Sequence, residues 1–294
     1  MKTIHQRTAP KIAALLVAAA TLFLANIAAA KVHLKIAANT LIVESFTQWT
    51  AATPWDQINH YSGPHANRPT IDLVLQLQAL KAGGLDFDFE LVSTPNYERA
   101  KLEVIQGNAD LAAETIWDDE VAESAGALQH TDPVIRTGEF EKGIYALPTN
   151  TKLLAISSIE ELRGYVGITV GTWALDVKTI EAMKLKGVEK AAKAENVFLM
   201  LEKQRADFTL GEFSSKPDMS IQLGTVTLVP VPNCKVAIAG ARSWIVGKSG
   251  PNATAVLAAL QKGTQALRTE GRIERAFKEC GFLNPAVASW KRLF

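Results

Sequence analysis

The chain has 294 residues, 48% hydrophobic and 21% charged, a composition that can fill a sizeable core and excludes disorder, a collagen repeat and a small cystine scaffold. Lys and Arg total 31 against 30 Asp and Glu, a formal net charge of +1. No global charge excess therefore draws the protein onto nucleic acid or an anionic membrane, and any charged partner must be met locally. Residues 1–30 read as a secretory signal peptide: Lys2, Arg7 and Lys11 form a positive start, 12–27 is apolar, and Ala28-Ala29-Ala30 supplies small residues for cleavage. The alternative, an uncleaved anchor, is disfavoured by the Ala-rich composition and the A-x-A end. Removal leaves 28 basic against 30 acidic residues, a net charge near −2. No second stretch of about 18 apolar residues follows, so a soluble, exported, periplasmic product is expected.

From residue 31 onward, short β-rich runs alternate with helical periodicity, the pattern of an α/β protein with mostly parallel sheets. Val32 to Ala37 reads as the first strand. Thr70 is placed to cap a helix with Leu73, Leu77 and Leu80 on one face, stopped by Gly83-Gly84. Phe87 to Val92 is the second strand. Thr94-Pro95 reads as an N-cap with proline in the first helical position, opening a helix through Tyr97, Ala100 and Val104 that ends at Gly107; Ala109 to Ala113 is again a strand. Ser158 to Glu161 is a capping box, Gly164 ends that helix, and Val166 to Val170 is a strand leading into Gly171-Thr172. Helices follow through Val177, Ile180 and Met183 and over 196–204. Strands are expected over 206–210, 226–231 and 243–246, with proline punctuation at Pro230 and Pro232. Helices over 253–269 and 273–280, parted by Gly271, close the chain. About 264 mature residues divide naturally into two lobes.

Four segments, in this order, resemble the periplasmic solute-binding proteins of the amino-acid-binding type. They are Leu102 to Leu111 with its Gly107-Asn108-Ala109-Asp110 join, Ser158 to Thr172, Leu201 to Asp207, and Leu260 to Phe282. The resemblance covers most of 95–290. It implies a type II periplasmic-binding clamshell with a first lobe from 31–145, a second lobe from 146–236, a return to the first lobe over 237–294, and a hinge near Gly143 to Thr149 and Cys234 to Arg242. It also implies a ligand in the cleft, with Gly171 and Thr172 offering backbone amides to a ligand carboxylate at a helix start. Taken alone, Gly171-Thr172 is equally a tight turn.

The departures from the family pattern are informative. Where the family carries a Thr-x-Thr-x-x-Arg stretch whose arginine grips a carboxylate, this chain has Thr115-Ile116-Trp117-Asp118-Asp119-Glu120, with Glu120 in the place of the arginine. Glu212, five residues beyond Asp207, stands where the family often binds the ligand's amino group. Unpartnered in a closed cleft, Asp118, Glu120 and Glu212 would each cost several kcal/mol, so either the ligand brings positive charge or arginines do. Arg99 and Arg136 are the local candidates, with Arg99 the replacement clamp. The alternative is that 118–120 is a solvated loop. Trp117 and Trp173 flank the two expected ligand-gripping turns and either sandwich the ligand or simply pack.

The leading expectation is thus an exported, monomeric protein that captures a small amine-bearing solute, an amino acid or polyamine, by hinge closure for the permease of an ABC-type transporter. Two alternatives stand beside it: a periplasmic enzyme on the same fold, like the cyclohexadienyl dehydratases, with Glu120 or Glu212 as general acid, and a ligand-sensing module without a transporter. No catalytic residue, cofactor or metal ligand set is assigned. His33, His60, His65 and His130 form no ligand pattern, Gly167 to Gly171 is no phosphate loop, and there is no Gly-x-Ser-x-Gly elbow. In an oxidising compartment Cys234 and Cys280 read either as a disulfide or as two small buried side chains.

Overall fold

A computed structural model describes residues 31–294; the expected signal peptide, residues 1–30, lies outside the described residues. The first lobe opens with β1 (Val32–Asn39), α1 (Thr40–Ala52), α2 (Arg68–Ala82), β2 (Phe87–Thr94), α3 (Tyr97–Ile105), β3 (Leu111–Ala112), β4 (Ile116–Trp117), α4 (Asp118–Glu123) and β5 (Leu128–His130). β1 runs parallel to β2 in unbroken register from Val32 opposite Phe87 to Asn39 opposite Thr94, and parallel to β3 on its other side.

Helix starts follow asparagines rather than the threonines expected from the sequence. Asn67 caps α2 by accepting from the Thr70 N–H at 3.1 Å, and Asn96 caps α3 by accepting from the Arg99 N–H at 2.9 Å. Thr94 instead ends β2 and donates its hydroxyl to the Ala38 carbonyl at 3.1 Å. The earlier start brings Arg68 into the first turn of α2. α1 has no counterpart in the sequence reading; its β-branched residues mask a helix that Asn39 caps and that buries Ile42 and Phe46, four residues apart.

The second lobe comprises β6 (Glu141–Ala146), α5 (Thr151–Leu154), α6 (Ile159–Leu162), β7 (Val166–Val170), α7 (Ala174–Ala182), β8 (Gly187–Ala191), α8 (Ala194–Glu202), β9 (Phe208–Gly211), β10 (Ile221–Leu223) and β11 (Val226–Ala237). Its strand order is β10-β11-β6-β9-β7-β8, with β9-β7-β8 parallel and β10, β11 and β6 added antiparallel. The Ser158 capping box forms as expected. β11 does not stop at the prolines: it continues to Ala237, and the register against β6 shifts between Pro230 and Lys235, where the missing proline N–H groups break the ladder.

The chain then returns through β12 (Arg242–Ser243), paired with β4, and β13 (Ile245–Gly247), antiparallel between β3 and β5, to α9 (Ala253–Thr269) and α10 (Arg272–Glu279). Gly271 turns between the two helices at φ 68°. The two segments that connect the lobes lie side by side, hydrogen-bonded from the Val134 N–H to the Arg242 carbonyl (2.8 Å) as far as the Ile238 N–H to the Phe140 carbonyl (2.8 Å). The first crossing is therefore 131–140, ahead of the expected Gly143 to Thr149, which belongs to β6 and the turn after it. Among the described residues there is also a third crossing. The Asn284 side chain donates to the Ser214 carbonyl at 3.1 Å, and β14 (Lys291–Arg292) adds a parallel strand to β11 in the second lobe.

Cys234 and Cys280 are both buried free thiols, so the disulfide is not formed. Each is satisfied where it lies, Cys234 Sγ at 3.7 Å from the Ile156 carbonyl and Cys280 Sγ at 3.4 Å from the Phe277 carbonyl. They are the small buried side chains of the other reading. Among the described residues no helix is long and apolar enough to cross a membrane.

α2 is buried on nearly every side, with Ile71, Leu73, Val74, Leu75, Leu77 and Leu80 all inside. α9 crosses it so closely that only glycine fits at two points: a Cβ on Gly263 would sit 1.7 Å from the Ala79 carbonyl oxygen, and one on Gly83 1.9 Å from that of Ala259. In a free helix Gly→Ala gains about 1 kcal/mol, whereas overpacking against backbone costs about 1–3 kcal/mol. Gly263→Ala is expected to lower stability by up to ~2 kcal/mol net. A denaturant midpoint at or above that of the wild type would show that the two helices have room to part.

Candidate functional site

Where the lobes meet, the first turn of α2 places Arg68 in the interior. Its Nη1 donates to Asp72 Oδ2 at 2.7 Å, one helical turn on, and its Nη2 to Glu114 Oε1 at 3.4 Å. Its Nε reaches across the junction to both oxygens of Glu212, at 2.9 and 3.0 Å. Charge-assisted bonds of this kind are worth about 1.5–3 kcal/mol each. Burial works against the Arg68 charge, yet Glu212, Asp72 and Glu114 outweigh it and raise its pKa. Asp72 and Glu114 are pushed up by burial, against the pull of Arg68 and Arg242.

Thr115 connects this cluster to a second guanidinium. Its N–H and hydroxyl both donate to Asp72 Oδ2, at 3.0 and 2.8 Å. Arg242 Nε donates to the Thr115 hydroxyl at 3.1 Å, and Arg242 Nη2 donates to the Thr115 carbonyl. The Arg242 guanidinium lies 4.6 Å from the centre of the Trp117 ring, with Tyr97 at 5.5 Å and Phe140 at 5.6 Å. Among the described residues, no carboxylate oxygen comes within 4.0 Å of its nitrogens. Leu175 of the second lobe and Trp117 of the first both pack against Gly240, where a Cβ would lie 2.8 Å from Leu175 Cδ1 and 3.0 Å from the indole.

Of the residues singled out from the sequence, Thr115, Trp117 and Glu212 are brought together here. Asp118 lies beside them, accepting from the Ser243 hydroxyl at 2.6 Å. Glu120 turns instead to α3, held by Lys101 Nζ at 2.6 Å and the Tyr97 hydroxyl at 3.0 Å. Arg99 does not join the cluster; it is 46% exposed and pairs with Glu103 on its own helix. Arg136 is exposed as well. Gly171 and Thr172 are exposed, and the amide groups around them are partly used: the Gly171 N–H donates to the Ala191 carbonyl (2.8 Å) and the Trp173 N–H to that of Val170 (3.0 Å). The amide cradle implied by the resemblance is to that extent already taken. Trp173 is half-buried with Lys142 Nζ 5.5 Å from its ring centre, and Lys142 is paired with the buried Asp176.

Arg68, Asp72, Glu114 and Arg242 are not among the site residues expected from the sequence, where Arg242 figures only as the end of a hinge segment. Their signal is a charge set in an apolar run: Arg68 and Asp72 head RPTIDLVLQLQAL four residues apart, and Arg242 interrupts 236–247. Among the described residues no group of three His, Cys, Asp or Glu is gathered as a metal would require.

Solved structures resemble the fold over most of the chain. One is the probable amino-acid ABC transporter extracellular-binding protein from Bacillus subtilis, with a TM-score of 0.55 and 16% identity over 85% of this chain and 97% of that one. Another is the periplasmic VFT2 domain of BvgS from Bordetella pertussis, with a TM-score of 0.55 and 16% identity over 84% and 92%. A third is an ancestral arginine-binding protein bound to arginine, with a TM-score of 0.50 and 14% identity over 84% and 97%. No protein-family model and no curated sequence matches the chain. The chain has the two-lobed α/β fold of these proteins.

A carboxyl whose pKa is raised by folding contributes stability below its unfolded pKa and loses that contribution as pH rises through the folded value. For Glu114 the window opens above the ordinary 4.5. Relative to Glu114→Gln, the stability of the wild type is therefore expected to fall as pH rises above the ordinary 4.5. Denaturant titrations at several pH values check this, and parallel profiles for the two proteins would mean that Glu114 titrates as an exposed carboxyl does.

Proposed function

We propose that the protein is an exported solute-binding protein that captures a small amine-bearing solute of the amino-acid kind between its lobes and delivers it to the permease of an ABC-type transporter. The observation that carries this reading is the placement of Glu212 and Arg242 at one junction. Glu212 is a carboxylate still 29% exposed, an acceptor for a solute's ammonium. Arg242 is a guanidinium that no carboxylate oxygen among the described residues approaches within 4.0 Å, held on the face of Trp117 as a donor to a solute's acid group. A solute bearing both groups gains from both residues, which favours amino acids over polyamines. Arg242 takes the clamping role that the sequence reading gave to Arg99, because it is the arginine that reaches Thr115.

The rest of the reading is in keeping with this assignment. Leu175 on the second lobe and Trp117 on the first both lie against Gly240, so a solute held beside them would be covered by apolar groups from both lobes. Hinge segments 131–140 and 237–241 are the natural place for the motion that admits it. The relatives in fold include proteins described as extracellular-binding and periplasmic, which supports action outside the cytoplasmic membrane.

A thermal-shift screen of the mature protein against amino acids, polyamines and aromatic acids tests the proposal. At 100 times its Kd a ligand stabilises by about 2.7 kcal/mol, so a true ligand gives a clear rise in Tm. Amino acids are expected to give the rise, Glu212→Gln to abolish it, and Arg242→Lys to weaken it for solutes with a carboxylate only. Recovery of the ligand unchanged identifies a binder, whereas its conversion would favour the enzymatic alternative. A hit that survives Glu212→Gln at full strength would place the site elsewhere.

A further inference from the structure

Among the described residues, the Arg68–Glu212 pair is the place in the cluster where a charged side chain of the first lobe is held by a carboxylate of the second, and its two halves are not equivalent. Arg68 is anchored at home by Asp72 at 2.7 Å and Glu114 at 3.4 Å, and is nearly fully buried. Glu212 has Arg68 as its ion-pair partner, through Nε alone. If the lobes parted, Arg68 would keep two carboxylates while Glu212 would go to water. Arg68 thus presents one edge of a fixed guanidinium across the junction, and what Glu212 receives from it is the same charge-assisted bond that a solute's ammonium would make. Two other features join the lobes without any solute: Leu175 and Trp117 both pack against Gly240, and the Asn284 amide donates to the Ser214 carbonyl.

We propose that the lobes rest closed without solute, latched by Arg68, which occupies Glu212 as an internal stand-in for the solute's cation. A solute must then displace Arg68 Nε to reach Glu212, and its apparent affinity is reduced by the fraction of molecules whose latch is open. The effect on affinity rests on the reading of Glu212 as a solute contact; the closed resting state does not.

Small-angle scattering on solute-free mature protein separates the two. A closed chain of this length has a radius of gyration of about 18 Å. The wild type is expected near that value, unchanged by the strongest hit of the thermal screen. Glu212→Gln removes the latch from the second lobe, and Arg68→Lys removes Nε while leaving a positive charge between Asp72 and Glu114. Both variants are expected to show a larger radius with unchanged far-ultraviolet circular dichroism, and Arg68→Lys to bind the hit about tenfold more tightly or better, the factor that one charged hydrogen bond supplies. A solute-free wild type that is larger and contracts with solute would overturn the latch, as would folded variants with the wild-type radius. If the radii respond as expected while no solute in the screen binds any form, the latch stands and the amine-binding reading falls. Equal radii with tight amine binding mean the reverse: the amine-binding reading stands and the latch falls.

Discussion

A buried guanidinium has to be compensated where it sits, and Arg68 meets that requirement with groups from three separate stretches of chain. Asp72 comes from its own helix, Glu114 from the segment between β3 and β4, and Glu212 from the second lobe. Taking even one of these charges out of water costs several kcal/mol, and the mutual attraction offsets that cost only if the geometry is held. The surrounding architecture supplies the geometry. Asn67 sets the first turn of α2, Thr115 pins Asp72 with two hydrogen bonds, and α2 itself is clamped between the sheet and α9, where Gly83 and Gly263 let the backbones approach. The polar centre is thus placed by the apolar packing around it.

The same cluster gives the protein its asymmetry. On the first-lobe side the charges are deep, mutually bonded and lined by the aromatic faces of Trp117, Tyr97 and Phe140. On the second-lobe side Glu212 is partly open to water. The two sides of the junction are thus unequal in burial: the first lobe holds its charges away from water, while the second presents a carboxylate that solvent still reaches. The third crossing, through Asn284 to β14, adds a tie between the lobes that the two hinge segments alone would not make. It also explains why the last residues of the chain are ordered against β11 and not left at the rim of the first lobe.

Much of the fold was legible in the sequence, and for reasons that can be located. Strands β1, β2 and β7 and helix α9 announce themselves through local periodicity, and the Ser158 capping box is a local chemical signal. The errors are local too. Asn67 and Asn96 outcompete the nearby Thr70 and Thr94 as caps, and the β-branched content of α1 concealed a helix whose stability comes from burying Ile42 and Phe46. The extension of β11 through Pro230 and Pro232 succeeds because a register shift absorbs the missing donors.

The site divides along the same line. By itself the sequence determined an α/β chain of two lobes, the likeness of its motifs to amino-acid-binding proteins, and the interest of Thr115, Trp117 and Glu212, because these follow from short-range pattern and order. It did not determine which arginines answer those residues. Arg242 reaches Thr115 only because β12 pairs with β4, setting Arg242 opposite Trp117 across 125 positions of chain, and Arg68 reaches Glu212 only because the lobes meet. Arg99, the nearer choice along the chain, is spent on Glu103 one turn away. Charge compensation is decided by distance in space, and that distance is a product of strand pairing and lobe closure, which no local spacing encodes.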